Sequence, residues 1–154
     1  MRVCCFCSDE EDKPGSGKEN LLLWAHYTDS HKGVCLVFDV LADPSFFVTP
    51  LRVIYQDAYP EYNHLRDEKK LADRLIKPKS AHWKYENEIR VIKQKNGLHE
   101  FARTSLVEVA FGAKCPSSDV ERLKLLAKNN GFSGTKFTKA EVMPDKYGLR
   151  FTEV

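Results

Sequence analysis

The chain has 154 residues, of which 42% are hydrophobic, and its 24 lysines and arginines nearly balance its 22 aspartates and glutamates. This length suits one domain with a buried core, so we expect a single domain over residues 1–154, and the net charge of +2 gives no overall attraction to nucleic acid or membranes. The chain lacks both a run of roughly 18 apolar residues and a secretory signal, which predicts a soluble, cytoplasmic protein with no membrane partner.

Three strands and one helix are predicted in the first half of the chain. The first strand is apolar on both faces when cysteine is counted as apolar, which is typical of a central strand. Asn20 caps the helix, and a polar segment with Gly, Pro and Ser precedes it. The predicted elements, in chain order, are a strand at 2–8, a polar loop at 9–18, a helix at 21–27, a strand at 34–40 and a short strand at 52–55.

The second half is predicted to alternate helices and strands. One helix has apolar positions on one side and ends at Lys77-Pro78, and a later helix begins with a capping box at residues 118–121. The predicted elements are a helix at 61–76, a strand at 81–92, a strand at 106–111, a helix ending near 129–131, and strands at 136–142 and 148–154. This order predicts an α+β domain with a mixed or mainly antiparallel sheet and about three helices.

Five cysteines are present, and three of them lie together as Cys4, Cys5 and Cys7. A structural zinc site needs paired ligands at defined spacing, and no second pair accompanies this segment. His26 and His31 have a suitable spacing, but no cysteine pair accompanies them either. We therefore expect no metal and interpret the thiols as small buried side chains in a reducing compartment.

Two carboxylates lie close together in the predicted strand at 81–92. Alternation along a strand directs Trp83 inward and Glu86, Glu88 and Arg90 outward, with the two glutamates about 6.5–7 Å apart. They form either an ordinary charged outer face or a site in which adjacent carboxylates raise each other's pKa and bind a sugar hydroxyl or a cationic transition state. The pattern alone leaves both interpretations open.

Aromatic and histidine side chains are concentrated in and after the first helix. Trp24, Tyr27 and His31 lie near one face of that helix, and His26 lies off it. Trp24 and Tyr27 are either core anchors, with both histidines half exposed, or parts of a ligand site in which rings stack on a base or donate hydrogen bonds. A histidine near a helix C-terminus and an acid would titrate near neutral pH.

Four segments in this order resemble an uncharacterised bacterial family, domain of unknown function 2971. The segments are CFCSDE, LLLWAHYTDSHKGVCLVFD, KSAHWKYENEIRVI and LVEVAFG, and together they extend over about four fifths of the chain. The residues that match the family's motifs are Cys5, Phe6 and Ser8 loosely, then Trp24, His26, Tyr27, His31, Gly33 and Cys35, then Trp83, Glu86, Glu88 and Arg90. The resemblance also leads us to expect that the family's usual preceding segment, with its early Tyr or His strand and Asn-Asp-Pro turn, is absent.

The Glu-x-Glu sequence is also similar to that of mono-ADP-ribosyltransferases. That resemblance implies NAD as the cosubstrate, Glu88 as the residue that orients the nicotinamide ribose and stabilises its oxocarbenium-like state, and Glu86 as its substrate-side partner. Positive charge develops on the ribose as nicotinamide leaves, so a carboxylate there is chemically reasonable. The missing segment would supply the first NAD contact, which implies a degenerate or half site.

Three functional hypotheses follow. The first is a module that binds a nucleotide or other small polar ligand, with Trp24, His26, Tyr27, His31, Trp83 and Arg90 as its ligand-binding residues. The second is an ADP-ribosyltransferase-like enzyme, a toxin or defence effector, with Glu88 and Glu86 as catalytic residues. The third is an assembly domain that forms a homodimer through an open strand edge. The sequence contains no P-loop, dinucleotide-binding glycine motif, serine nucleophile elbow or His-Glu-x-x-His motif.

Overall fold

A computed structural model of the chain describes residues 2–9, 17–63, 65–67 and 71–154. The strands are β1 (Arg2–Cys7), β2 (Val34–Phe38), β3 (Leu51–Arg52), β4 (Ile54–Gln56), β5 (Pro78–Ser80), β6 (Glu88–Lys93), β7 (Leu106–Phe111), β8 (Lys136–Val142) and β9 (Leu149–Glu153). The α-helices are α1 (Leu21–Tyr27) and α2 (Ser117–Asn129), and 3-10 turns cover Gly17–Glu19, Val40–Ala42, Ala81–Glu86 and Arg103–Ser105. None of the helices in these residues is long and apolar enough to cross a membrane.

The strands form two main sheets, which confirms the predicted α+β class. The first sheet has the order β1-β6-β3 and is antiparallel throughout. The second has the order β2-β7-β8-β9 and is mixed, because β7 and β8 run parallel. A further parallel pair joins β4 to β5. These pairings leave β1 and β2 at the edges of their sheets in the described part of the chain.

The second sheet is packed on both faces. On one side, α2 inserts Val120 against Val109 and Phe111, with the buried Cys115 beside them. On the other side, Trp24 from α1 packs against a separate buried group that includes Ala110. Here α2 begins at Ser117 after Pro116, which makes no side-chain cap, so the predicted capping box is not formed. A proline just before the first turn supplies a suitable backbone conformation without one.

The predicted central position of the first strand is wrong. β1 pairs only with β6 among the described strands, and Cys4, Cys5 and Cys7 are exposed. The cysteine side chain is small, so its exposure at an edge leaves less apolar area in water than that of a larger apolar residue. Of the five thiols, Cys115 is buried and Cys35 half-buried. Residues 10–16 of the predicted loop lie outside the described residues.

The helix predicted at 61–76 is wrong over residues 61–63 and 65–67, which are not helical. Residues 64 and 68–70 lie outside the described part, and Ala72–Ile76 forms a single π-helical turn. Before it, the Asn63 Oδ1 accepts a hydrogen bond from the Leu65 N–H, and the Asp67 Oδ2 accepts one from the Asn63 N–H. Such side-chain hydrogen bonds to the backbone compete with a helix at its start.

Only the second half of the strand predicted at 81–92 is present. Residues Ala81–Glu86 form a 3-10 helix, Asn87 takes a left-handed conformation with φ 45°, and the strand then begins at Glu88. A tertiary bond holds this turn, because the Asn20 Nδ2 donates to the Tyr85 carbonyl over 2.8 Å. Aromatic residues favour strands only weakly, so such contacts override their propensity. Trp83 is consequently 39% exposed and lies outside the core.

Candidate functional site

A cleft of about 1260 Å³ lies between the two sheets. It is lined by residues 5–9 of β1 and its following loop and by the whole of β2. Successive side chains of a strand point to opposite faces, so a cavity that touches consecutive residues of both strands lies beside their edges rather than over one face. Glu86 and the beginning of β6 form a polar wall of this cleft, whereas Phe6 and Phe47 belong to its apolar wall.

A network of four charged side chains occupies the polar wall. Lys79 donates to Glu86 Oε2 and, over 2.8 Å, to Glu88 Oε2. Arg90 donates two hydrogen bonds to the same Glu88, from Nε to Oε1 over 2.7 Å and from Nη2 to Oε2 over 3.2 Å. Both glutamates are 5% exposed, so the charged outer face predicted for a strand is replaced by a buried network. We call these four residues the carboxylate network.

The backbone turn at Asn87 brings the two carboxylates together. Its side chain is held on both sides, because Nδ2 donates to the Ser8 carbonyl over 3.1 Å and Oδ1 accepts from Arg52 Nη1 over 3.0 Å. Asparagine tolerates the left-handed conformation better than most residues. The turn breaks the strand alternation, so that Glu86 reaches Lys79 from the 3-10 helix while Glu88 reaches it from β6.

Lys79, Arg90 and Glu88 are all charged at neutral pH. Burial by itself raises the pKa of Glu88, but hydrogen bonds from Arg90, Cys5 and Lys79 outweigh it and bring the value to about 2. Burial lowers the pKa of Lys79, and its hydrogen bonds to Glu86 and Glu88 reverse this and leave the pKa raised. At neutral pH Glu88 is therefore an ionised group that accepts a proton poorly.

Three further side chains contact the network. The Tyr27 hydroxyl donates to Glu86 Oε1 over 2.7 Å, and this bond together with burial raises its pKa to about 12. The Glu88 N–H donates to the Tyr55 hydroxyl over 2.8 Å, and burial raises the pKa of Tyr55. Cys5 is exposed as a residue, but its thiol is partly desolvated beside Glu88; this desolvation, followed by its hydrogen bond to Glu88, raises the pKa of Cys5 to about 11, so the thiol stays protonated at neutral pH.

The predicted site residues separate into those on the cleft and those away from it. Glu86, Glu88, Arg90 and Tyr27 meet at the polar wall. Trp24 also borders the cleft, but it is 2% exposed and its indole N–H donates to the Lys18 carbonyl over 2.6 Å. Trp24 therefore anchors the core, whereas Tyr27, 64% exposed, does not.

His26 and Trp83 lie outside the cleft lining, in an exposed aromatic cluster with Tyr85. The ring centroids of this cluster are 5.9–6.3 Å apart. Lys79 joins the cluster to the carboxylate network, because its Nζ also lies 5.4 Å from the centre of the Trp83 ring. Lys79 thus contacts both groups of predicted site residues, the exposed aromatic cluster and the carboxylate network.

His31 lies apart from both groups and has a structural position. Its ring stacks on Trp24 with 6.4 Å between centroids, and its backbone has a left-handed φ of 71°. A Cβ on Gly112 would lie 2.1 Å from the His31 carbonyl oxygen, so only glycine permits this approach. Burial and then Lys114 lower the pKa of His31. Its Nδ1 is buried and has no hydrogen-bond partner among the described residues.

The sequence analysis missed Lys79, Tyr55 and Cys5 as parts of the site. Lys79 lies in KPKS, one of several lysines on a polar segment, and Tyr55 lies 33 positions before its partner Glu88. Cys5 could have been found from pairing, because it lies opposite Arg90 in the antiparallel register. No group of three or more metal-ligating side chains is found in the described residues.

A family model matches part of the chain. The family model described as a protein of unknown function, DUF2971, matches residues 23–91. This segment contains all eight predicted site residues and Lys79, whereas the Cys-Phe strand and LVEVAFG lie outside it. No curated protein and no solved structure matches the chain. The resemblance drawn from the motifs is thus confirmed over residues 23–91, which make up less than half of the chain.

Proposed function

We propose that the protein is a ligand-binding module whose cleft holds a nucleotide or another small polar ligand against the carboxylate network. The observation that carries this proposal is Lys79, which joins two buried glutamates on the wall of a large cleft. Burying charged groups costs free energy, so a balanced set of charges beside a cavity is more typical of a binding site than of plain architecture.

The cleft offers complementary groups for such a ligand. Sugar hydroxyls would donate to the carboxylate oxygens of Glu86 and Glu88, and a phosphate would approach Lys79 or Arg90. The apolar wall near Phe6 would take a planar ring. These contacts need no proton transfer, so the module works with every network group in its resting charge state.

Binding without turnover accounts for the state of Glu88. Both of its oxygens already accept hydrogen bonds from cations, Oε1 from Arg90 and Oε2 from Arg90 and Lys79. A carboxylate that is neutralised in this way offers little additional stabilisation to a developing positive charge. This supports a degenerate site rather than an efficient transferase.

An ADP-ribosyltransferase-like enzyme that uses NAD is the second candidate. It is favoured by one observation, that both glutamates of the Glu-x-Glu sequence line the same cleft. For this chemistry the substrate must displace Lys79 from Glu88, so that the carboxylate can face the ribose as the bond to nicotinamide breaks. Water or an acceptor nucleophile would then take the ADP-ribosyl group.

Titration calorimetry with NAD, AMP and nicotinamide mononucleotide tests both candidates. The variants are Glu88→Gln and, as a matched control, Glu141→Gln, whose partner Arg150 lies with it on the exposed β8–β9 hairpin. Nicotinamide release is assayed in the same samples. The binding module predicts heat without release for the wild type and the control, and binding weakened about tenfold or more in Glu88→Gln.

Each other outcome has a definite meaning. Heat together with nicotinamide release, with release abolished in Glu88→Gln, would favour the transferase over the module. No heat with any of the three compounds at millimolar concentration would contradict both candidates. Equal affinity in the wild type and Glu88→Gln would indicate that the ligand binds away from the carboxylate network.

A further inference from the structure

The aromatic cluster of His26, Trp83 and Tyr85 lies outside the cleft lining but beside the carboxylate network. Its members come from two separate elements, His26 from α1 and the other two from the 3-10 helix at Ala81–Glu86. His26 is exposed, and Trp83 is 39% exposed. A group of partly exposed aromatic rings is more typical of a binding surface than of a stabilising core.

Two hydrogen bonds hold the 3-10 helix that carries Trp83 against α1. Asn20, which caps α1, donates from Nδ2 to the Tyr85 carbonyl over 2.8 Å. At the other end of α1 the Tyr27 hydroxyl donates to Glu86 Oε1 over 2.7 Å. The rings are therefore positioned before a ligand arrives, which lowers the entropy cost of binding to them.

One ammonium group connects the aromatic cluster to the carboxylate network. Lys79 Nζ lies 5.4 Å from the centre of the Trp83 ring and 2.8 Å from Glu88 Oε2. A ligand that combines a planar ring with a sugar and a phosphate can therefore contact the Trp83 ring and the network together. A sugar or a phosphate alone would use only the network.

Lys79 also determines which charge a ligand at Trp83 can carry. Because its ammonium already lies near this ring, a second cation there would meet a like charge at close range. This disfavours a methylated amine, the usual ligand of an aromatic cage. A neutral nucleobase stacks on an aromatic ring without that cost, and its phosphate is attracted by the same ammonium.

We propose that the aromatic cluster is a second binding subsite, at which the base of a nucleotide stacks on Trp83 while its sugar and phosphate extend to Lys79 and the carboxylate network. The subsite is distinct from the apolar wall near Phe6, because neither Trp83 nor His26 lines the cleft. This inference deepens the proposed function and rests on it for the position of the sugar and phosphate. The ligand class is then nucleotides, in preference to sugar phosphates without a base.

The chain has two tryptophans, and their indole N–H signals in nuclear magnetic resonance spectra report on the two places for a ring. Trp24 borders the cleft, whereas Trp83 belongs to the aromatic cluster. Isotopically labelled wild-type protein is titrated with AMP and with ribose 5-phosphate, which lacks the base. We expect AMP to shift the Trp83 signal and to leave the Trp24 signal nearly unchanged. Ribose 5-phosphate should bind about tenfold more weakly and leave Trp83 unchanged.

The affinities of three variants separate stacking from a structural role of Trp83. Trp83→Leu removes the aromatic ring, Trp83→Phe keeps a smaller one, and Tyr147→Leu is the control at a fully exposed residue between β8 and β9. We expect AMP to bind about tenfold more weakly to Trp83→Leu and only a few-fold more weakly to Trp83→Phe. The affinity for ribose 5-phosphate should equal that of the wild type in all three. Urea unfolding checks that each variant is folded, and the wild-type titration does not depend on it.

Three results would overturn the subsite. They are an AMP titration that leaves the Trp83 signal unchanged, a shift confined to Trp24, which would place the base in the cleft, and an equal loss of both affinities in Trp83→Leu, which would indicate a structural role. If tetramethylammonium shifts the Trp83 signal and AMP does not, the cluster binds cations instead. In each case, AMP binding that is weakened in Glu88→Gln would leave the proposed function standing.

The two proposals also fail separately in the opposite direction. An AMP-induced shift of Trp83, with equal AMP affinity in the wild type and Glu88→Gln, would contradict the proposed function and leave the stacking subsite standing. No binding of AMP or ribose 5-phosphate at millimolar concentration, while the spectrum shows a folded protein, would contradict both.

Discussion

Two buried glutamates on neighbouring sheets both pair with a lysine, but only one of them lies at the cleft. Glu88 on β6 and Glu108 on β7 are 5% and 9% exposed, and each binds a lysine. Glu108 accepts three hydrogen bonds, two from Lys18 Nζ at 2.9 and 2.7 Å and one from the Thr138 hydroxyl at 2.5 Å. It does not line the cleft, whereas Glu88 does.

The difference lies in what surrounds each carboxylate. Glu108 is a single acid that ties the Gly17–Glu19 turn to the second sheet, where Lys18 also accepts the Trp24 indole hydrogen bond. Glu88 has a second acid, Glu86, at the same lysine and an open cavity beside it. Glu108 and Glu88 are therefore alike in being buried and in having a lysine partner. What distinguishes the candidate site is a second carboxylate, Glu86, and a cavity beside it.

The largest effect is expected for Lys79→Met, which leaves Glu86 and Glu88 facing each other without their shared cation. Removing one partner of a buried ionic group costs about 3 kcal/mol of unfolding free energy. Urea unfolding at neutral pH measures it. Adding Glu86→Gln to Lys79→Met should recover at least half of the loss, since one buried charge is then removed. No recovery would contradict the shared-lysine account.

The corresponding change at the other site, Glu108→Gln, should cost about 2 kcal/mol, because Lys18 loses a charged acceptor but keeps access to water. Its affinity for NAD should equal that of the wild type, in contrast to Glu88→Gln. Urea unfolding and calorimetry on the same preparations check both statements. A loss of NAD affinity in a folded Glu108→Gln variant would contradict the claim that only Glu88, of these two carboxylates, contributes to ligand binding.

Acid should destabilise the protein in part through Glu88. Its pKa in the folded state is about 2, below the ordinary 4.5, so its stabilising contribution is present above about pH 4.5 and is lost as the pH falls toward 2. Between about pH 5 and pH 3 we expect Glu88→Gln to lose roughly 1–2 kcal/mol less stability than the wild type. The pKa of Glu108 is lowered as well, so some slope remains in the variant. The free energy of unfolding is measured with urea at each pH. If it falls equally for the wild type and Glu88→Gln between about pH 5 and pH 3, the prediction is contradicted.

The smallest effect is expected for Tyr27→Phe, which removes the hydrogen bond to Glu86 from an exposed ring. The cost should be about 1 kcal/mol or less. Absorbance titration of the tyrosines should lose a component that titrates near 12, the raised pKa of Tyr27. Tyr59→Phe, at a residue that is 99% exposed, is the control and should leave that component in place. The component's survival in Tyr27→Phe would contradict its assignment.

The sequence predicted the parts of this account that depend on local pattern. The α1 helix with its Asn20 cap, the β7 strand and the Glu86–Glu88–Arg90 group were found because each is encoded in a few consecutive residues. The strand through Trp83 was predicted wrongly, since alternation cannot reveal a tertiary bond such as that from Asn20 to Tyr85.

The remaining parts depend on contacts between distant residues. Lys79 reaches the glutamates because β5 pairs with β4, and no local pattern in KPKS indicates this. The edge position of β1 likewise follows from which strands pair, and not from the composition of the strand. For the same reason the cleft itself, formed where two sheets meet, could not be predicted from the sequence.

The central claim is that ligand binds at the carboxylate network and not at the similar charged group around Glu108. Amide chemical-shift changes during an NAD titration of isotopically labelled wild-type protein test it most directly. We predict the largest changes at Tyr27, Lys79, Glu86, Glu88 and Arg90, with Glu108 and Thr138 unchanged. Changes centred on Glu108, or none at millimolar NAD while the spectrum shows a folded protein, would contradict the claim.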